Sequence, residues 1–444
     1  MTEPAAGTGP AHVHNHLETG TGKGVHENAG AGHRSAQERR SVQEHRARIA
    51  ALIAPLAARP LERLPLRAAL GTALGSDLVA PVDLPPFDNS QMDGFAVRSV
   101  DFEGTVGGGV REFTVGAAIP AGAVPVPLAP GHAAPIMTGA MMPEGADAVV
   151  PVERAEPPKF PEEGATVSLP SVEAGTYVRR TGSDVAAGAV VLAAGTAMGA
   201  PQIGLAAGLG LSTVPVRRPV RITLLSTGAE LATAGARLAP GQIYDANGML
   251  LWAALREAGI AAANVAVRSD DPDELRRELE RLAGLEGEAR PDVVITTGGV
   301  SKGAFEATKL ALDGHDVEFA HLAMQPGGPQ GLGTFEGLPV VAFPGNPVSC
   351  WISWEVLLRP VLAELFGAPR GRRRLRAPLA EALTSPPGKL QVRRARLRAD
   401  GCVELVGGPG SHLLGALAAS DALAMVPDGV TELEVGAEVE VWLT

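Results

Sequence analysis

Asp292-Val-Val-Ile-Thr-Thr-Gly-Gly-Val-Ser-Lys-Gly303 runs from a short, apolar, β-branched strand into a glycine turn, with helix-forming residues after it. A turn of this kind leaves backbone N–H groups unpaired at a helix start, which makes it a seat for a phosphate or another oxyanion. It has neither the Gly-x-x-x-x-Gly-Lys-Ser/Thr spacing of a Walker loop nor the Gly-x-Gly-x-x-Gly of a dinucleotide fingerprint. The competing reading is a Gly-Gly pair that only turns the chain tightly between strand and helix.

The flanking sequence repeats the same alternation. A strand at Val220 to Leu225 meets Ser226-Thr-Gly228, and the following helix carries Leu250, Leu251, Ala254, Leu255 and Ala258 on one face. A strand at 263–268 and a helix marked by Leu275, Leu279 and Leu282 lead into the 292–296 strand. After the glycine turn come a helix near 304–312, strands near 317–324 and 338–343, and a helix from 346. Strands alternating with helices predict a three-layer α/β domain with a largely parallel sheet over 216–366. Ligands of such sheets sit at the carboxyl ends of the strands, where Ser226–Gly228, Thr297–Ser301 and Phe343-Pro-Gly-Asn-Pro347 all fall.

Other segments have different textures. Residues 1–34 hold almost no large apolar side chains, so a disordered tail is expected, with His12, His14, His16, His26 and His33 either a loose metal chelator or incidental. Val42, His45, Ile49, Leu52, Ile53 and Leu56 follow amphipathic helical spacing, closed by Pro60 and Pro65, and a short helix over Leu66–Leu74 and a strand over Asp77–Ala80 come next. These belong to an N-terminal mixed domain, 35–100 and 179–215, interrupted by a Gly- and Pro-dense small β domain at 101–178. A basic linker, Gly367 to Arg374, leads to alternating apolar and polar residues over 375–444, a C-terminal β barrel-like domain.

Composition narrows the partners. The 444 residues, 45% hydrophobic and 20% charged, suffice for about three domains. With 38 Lys+Arg against 49 Asp+Glu, the net charge of -11 argues against a nucleic-acid partner but leaves a small anionic ligand open. Cys350 and Cys402 are too few and too far apart for a disulfide framework or a Cys-x-x-Cys metal site. No apolar run approaches the roughly 20 residues that span a membrane, and the simplest setting is cytoplasmic.

Five motifs occur in order: Asp88-Asn-Ser-Gln-Met-Asp-Gly-Phe-Ala-Val-Arg98; Thr138-Gly-Ala with Pro143-Glu-Gly-Ala-Asp-Ala-Val-Val150; Gly241-Gln-Ile-Tyr-Asp-Ala-Asn247; Thr297-Gly-Gly-Val-Ser301; and Phe343-Pro-Gly-Asn-Pro-Val-Ser349. Together they resemble the molybdopterin molybdotransferases of the MoeA and gephyrin E-domain type, from about residue 41 to 444. The resemblance implies that molybdate is inserted into adenylylated molybdopterin with release of AMP, assisted by Mg²⁺. It also implies a homodimer whose site lies between the α/β domain of one subunit and the first two domains of the other. A molybdopterin adenylyltransferase and molybdoenzyme assembly proteins are the candidate protein partners it suggests.

A phosphoanhydride and a molybdate are both anionic, and bringing them together needs a hard cation with carboxylate and phosphate oxygens as ligands. The matched motifs supply Asp93, Glu153, Asp184, Glu230, Asp245 and Glu306, of which Asp93, Asp184, Glu230, Asp245 and Glu306 are the catalytic candidates and Glu230, Asp245 and Glu306 the metal candidates. Each has a structural alternative: Asp93 as a turn residue, Asp245 as a helix cap, Glu230 and Glu306 as solvated first-turn acids. Substrate-binding candidates are Thr138 and Glu153, the amides around Gly228, Gly298, Gly299, Pro344 and Gly345, and the hydroxyls of Ser226, Thr227, Ser301 and Ser349. Asn346 either caps the helix after it or touches ligand. Cys350 has no motif histidine near it and reads as a core thiol, and Trp351 and Trp354 read as packing.

Three departures from the family pattern bear on charge. The usual Lys-Pro-Gly-Lys-Pro is Gln325-Pro-Gly-Gly-Pro329, so two cations are missing; Thr-Gly-Asp-Glu is Thr227-Gly-Ala-Glu230; and Ser-Val-Gly-Asp is Ser301-Lys-Gly-Ala304. Lys302 either restores lost positive charge or faces solvent. The departures leave room for a paralogue with another oxyanion, such as tungstate, for adenylyltransferase activity, or for a weakly catalytic pterin-binding assembly protein.

Overall fold

A computed structural model describes residues 39–104, 109–267, 269–300 and 306–444. The histidine-bearing tail and the candidates Ser301 and Lys302 lie outside them.

The α/β domain is built on a six-stranded sheet in the order Ala261–Val267, Arg221–Thr227, Val293–Thr297, Leu338–Phe343, Pro329–Phe335, Asp316–His321. The first four strands are parallel and in matched register: Ser226 pairs with Thr297 and Thr297 with Phe343. Their carboxyl ends therefore finish level, and the three turns foreseen from sequence emerge side by side. The far edge is antiparallel, Leu338–Phe343 to Pro329–Phe335 to Asp316–His321. The strand Pro329–Phe335 was not apparent because three of its seven residues are Pro or Gly. The strand expected over 317–324 divides: 316–321 stays in this sheet, while Met324–Gln325 pairs with Leu390–Gln391 of the C-terminal domain.

Both faces of the sheet are covered, which gives the three layers. Leu275, Leu279 and Leu282 of the helix Pro272–Ala283 pack with Leu225, Val294 and Val340 on one side. On the other, Leu251 and Leu255 of Ala246–Glu257 meet Ile222, Ile295, Val341, Trp351 and Trp354. The helix Val42–Ala57 joins this second layer: Ser41 caps it by accepting the Glu44 N–H at 3.0 Å, and its fully buried Ile49 and Ile53 sit in the core with Val356 and Leu357. Its sequence periodicity identified the buried face but not the layer receiving it. His45, on the same face, is fully buried with Nε2 unpartnered; burial first, then Arg40 and Arg48, lowers its pKa from 6.5 to about 4.

The inserted module is a five-stranded sheet ordered Ala148–Pro151, Gly94–Val97, His132–Ile136, Val110–Val115, Thr166–Pro170. Its second strand begins ahead of residue 101, directly after Asp93, because Phe95 and Val97 complete the core formed by Phe113, Val115, Val150 and Val167. Around it the N-terminal region pairs Glu62–Pro65 with Thr213–Val216 and Leu78–Val79 with Val190–Leu192. The short helix expected over Leu66–Leu74 is one turn, Leu66–Ala69.

The C-terminal domain is a sheet of Leu390–Leu397, Ala422–Val426, Glu438–Leu443 and Arg374–Pro378, extended at one edge by Met324–Gln325. Its linker is tied down by a buried carboxylate: Glu355 accepts from Arg372 at 2.7 and 2.9 Å and from Arg359 at 3.3 Å. Paired on both oxygens, the acid is compensated within the interior.

Candidate functional site

A cavity of about 840 Å³ opens at the carboxyl ends of the parallel strands. The turns after all three central strands line it: Thr227–Gly228, Thr297–Val300 and Pro344–Pro347. Close approach of backbone to backbone explains the glycines. A side chain on Gly345 would stand 3.3 Å from the Cα of Gly298, and one on Gly299, whose φ is +64°, would meet the backbone nitrogen of Thr308 at 2.8 Å. The Thr308 hydroxyl donates to the Gly298 carbonyl at 2.9 Å, and the Asn247 amide donates to the Gly345 carbonyl at 2.6 Å. The Gly298 N–H donates to the Phe343 carbonyl at 3.1 Å, which ties the two glycine turns together at one end of the pocket.

Glu230, Asp245 and Glu306 enter the same space. Glu230 lies over Gly228, where an added Cβ would meet its carboxylate at 2.5 Å. Asp245 caps the helix Ala246–Glu257 by accepting the Gly248 N–H at 2.9 Å, the structural role weighed for it, while still lining the cavity. Asn346 makes no capping bond with its side chain and lines the cavity, as does Ser349. The expected hydroxyl of Ser226 is not available: it is fully buried in the sheet, without a partner, and the pocket begins at Thr227. Strand alternation accounts for this, since neighbouring residues face opposite sides. Cys350 is buried, and desolvation raises its thiol pKa, as a core residue requires.

The other candidates lie outside this cavity. Asp93 accepts both the N–H and the hydroxyl of Thr138, each at 2.7 Å, and these bonds, the backbone one first, lower its pKa. The Val152 N–H donates to the Asp93 carbonyl, which brings the neighbouring Glu153 to the same end of the inserted sheet. Glu153 and Asp184 are exposed, and none of Asp93, Thr138, Glu153 or Asp184 lines the cavity of this chain.

Several lining residues had escaped sequence reasoning. Asp270 follows the strand Ala261–Val267 and accepts the Ala229 N–H at 3.2 Å, placing a carboxylate beside the position where the family's acid is missing. The rule that ligands meet strand carboxyl ends would have found it. Lys389, Gly410 and Ser411 come from the C-terminal domain, and His321 from the antiparallel edge; no linear motif announces them. Among the described lining residues Lys389 is the single lysine or arginine, facing Glu230, Asp245, Asp270 and Glu306 as the acids.

Among the described residues no group of three or more His, Cys, Asp or Glu side chains is close enough to hold a metal by itself. Mg²⁺ commonly takes only one or two carboxylates, completing its shell with phosphate oxygens and water. The oxygen donors of the pocket fit such an ion together with a phosphate ligand, and do not form a closed protein cage.

The sequence matches the MoeA N-terminal region (domains I and II) over residues 40–210, a probable molybdopterin binding domain over 223–364, and the MoeA C-terminal region (domain IV) over 376–444. It is 43% identical over 416 residues to molybdopterin molybdenumtransferase 2 of Mycobacterium tuberculosis, covering 91% of this chain and 99% of that protein. The chain belongs to the MoeA family. A second MoeA relative, molybdopterin molybdenumtransferase 1 of the same organism, is 35% identical, with 90% of this chain and 98% of the relative covered. The crystal structure of a MoeA protein from Pyrococcus horikoshii superposes with a TM-score of 0.72 at 28% identity, over 91% of this chain and 99% of that one. Membership makes the chain an enzyme of molybdenum cofactor biosynthesis and does not favour the adenylyltransferase or assembly alternatives. Among the described residues no helix is long and apolar enough to cross a membrane.

Proposed function

We propose that this chain inserts molybdate into adenylylated molybdopterin and releases AMP, in the cavity at the carboxyl ends of its parallel strands. The observation that carries the reading is the meeting of two glycine turns, Gly298–Gly299 and Pro344–Gly345, with Glu230, Asp245, Glu306 and Lys389 around one space large enough for a nucleotide-sized ligand. The turn amides donate their N–H groups to phosphate oxygens, and Lys389 supplies charge for an incoming oxyanion. One or two of Glu230, Asp245 and Glu306 would hold Mg²⁺ beside the phosphates, with phosphate oxygens and water completing its shell, and the ion would neutralise charge and polarise the anhydride.

The working form is a homodimer in which Asp93, Thr138, Glu153 and Asp184 of a second copy complete the pocket. Exposed apolar residues at the cavity, Ile243 and Tyr244, and on the helix Ala246–Glu257 that starts there, Met249 and Trp252, at 55%, 45%, 53% and 38% exposure, support a protein surface covering this side. A molybdopterin adenylyltransferase and molybdoenzyme assembly proteins fit as neighbours in the sequence of reactions, and a cytoplasmic setting suits them. The test is a single-turnover reaction of the purified chain with adenylylated molybdopterin and Mg²⁺, with molybdate and tungstate in parallel. Metal-bearing cofactor formed with molybdate supports the proposal; tungstate alone as substrate would reassign the anion, and neither would refute the activity.

A further inference from the structure

The loop 120–130 of the inserted β domain carries four prolines, Pro120, Pro125, Pro127 and Pro130. It departs at Ile119, whose N–H donates to the Pro135 carbonyl at 2.7 Å, and is pinned again at Leu128, whose N–H donates to the Glu144 carbonyl at 2.8 Å. Both anchors are buried in one apolar cluster. Between them Gly122, at φ +87°, turns the chain, and the Ala123 N–H donates to the Pro120 carbonyl at 3.2 Å. Because proline fixes its own φ, the stretch after this turn is stiff and does not collapse onto the sheet.

A groove of about 280 Å³ stays open as a result, lined by residues 116–119 and 123–129. It shares no residue with the cavity at the strand ends. Val124 and Val126, at 87% and 69% exposure, are the most exposed large apolar side chains among the described residues. Apolar surface therefore continues outside the groove, where a small molecule held within it would leave these valines bare. The N–H groups of Ala117, Ala118, Val124 and Val126 have no backbone or side-chain acceptor among the described residues, and so remain as donors for the main chain of an incoming segment.

Charge selects the partner. Glu163 is an exposed carboxylate at the groove, no lysine or arginine lines it, and the only other titratable group there is His132. The His132 Nδ1 stands 3.1 Å from the Pro130 carbonyl, which only accepts, so Nε2 is the nitrogen left for a ligand.

We propose that this groove docks an extended segment of a partner protein, with an apolar side chain in the cavity, main-chain carbonyls on the free N–H groups, and a lysine or arginine against Glu163. The full-length chain is probed with an array of hexapeptides carrying Val, Ile, Leu or Phe at the centre and Lys, Glu or Gly at the flanks, and the strongest binders are titrated by fluorescence anisotropy. Apolar peptides with Lys flanks should bind saturably, and their Glu-flanked counterparts roughly 2- to 5-fold more weakly, the range of an exposed ion pair. Glu163→Lys should reverse that order. Ala118→Trp, at an exposed position of the lining, fills the groove and should abolish binding with the thermal midpoint unchanged. Val124→Asp makes the same test from the outer wall should the tryptophan variant not fold.

No saturable binding by any peptide of the array would overturn the proposal, as would equal affinity for both flank charges or binding retained in Ala118→Trp. The rival occupant is a second copy of the chain. Sedimentation equilibrium in which Ala118→Trp shifts the association state would assign the groove to self-association and overturn the partner.

Discussion

Replacing Gly299 by alanine tests whether the opening glycine turn is shaped by its packing as well as by its conformation. Gly299 has φ +64°, and an added Cβ would lie 2.6 Å from the Thr308 hydroxyl oxygen and 2.8 Å from the Thr308 nitrogen. The left-handed conformation alone costs an alanine about 1–2 kcal/mol. Overlap with a helix backbone adds about 1–3 kcal/mol, because that neighbour cannot swing aside as a flexible side chain would. The sum, roughly 2–5 kcal/mol, corresponds to a fall in midpoint on the order of 10 °C for a domain of this size. Gly314 supplies the control in the same domain: its φ is +80° and an added Cβ meets nothing within 4 Å, so Gly314→Ala isolates the conformational cost. Urea and thermal unfolding of both variants should rank Gly299→Ala clearly below Gly314→Ala, and molybdate binding should fall only in Gly299→Ala. Equal destabilisation, or full anion binding by Gly299→Ala, would refute the packing argument.

Other outcomes follow from the same geometry. Lys389→Ala should raise the KM for molybdate about 10- to 100-fold, since a charge-assisted hydrogen bond is worth about 1.5–3 kcal/mol; steady-state kinetics against molybdate concentration check this. His45 stays neutral in the fold down to about pH 4 but takes a proton below 6.5 when unfolded, so acid favours the unfolded chain. Between pH 7 and 5 this removes about 2 kcal/mol, a loss that His45→Leu should abolish in denaturant titrations at the two pH values. Mixing Asp93→Asn and Glu230→Gln chains should recover activity that neither has alone, because one site of the mixed dimer is then intact; no recovery after subunit exchange would place the site within a single chain.

The sequence displayed the α/β domain well where periodicity and turn chemistry agreed, at Leu275–Leu282 and at the Gly298–Gly299 turn. It concealed Pro329–Phe335, whose one proline and two glycines do not resemble a strand until the edge is seen to be antiparallel. Site residues were legible where they belonged to a contiguous turn, as with Gly228, Gly298, Gly345 and Asn346. Lys389 and Ser411 were not, because their proximity depends on how a separate β domain docks through Met324–Gln325. Ser226 shows the opposite error: a correct motif, with the side chain on the buried side of the strand. Chemistry at Asp93 and Thr138 was visible as residue types, while their hydrogen-bonded union across 45 positions was not.

The central claim is that nucleotide release and metal insertion are one event in this pocket. Its most direct measurement is AMP release from chain loaded with adenylylated molybdopterin, followed with and without molybdate while metal incorporation is counted. One AMP should be released per metal inserted, with release dependent on molybdate and lost in Glu230→Gln. AMP released without metal incorporation, or metal incorporated with the adenylyl group retained, would contradict it.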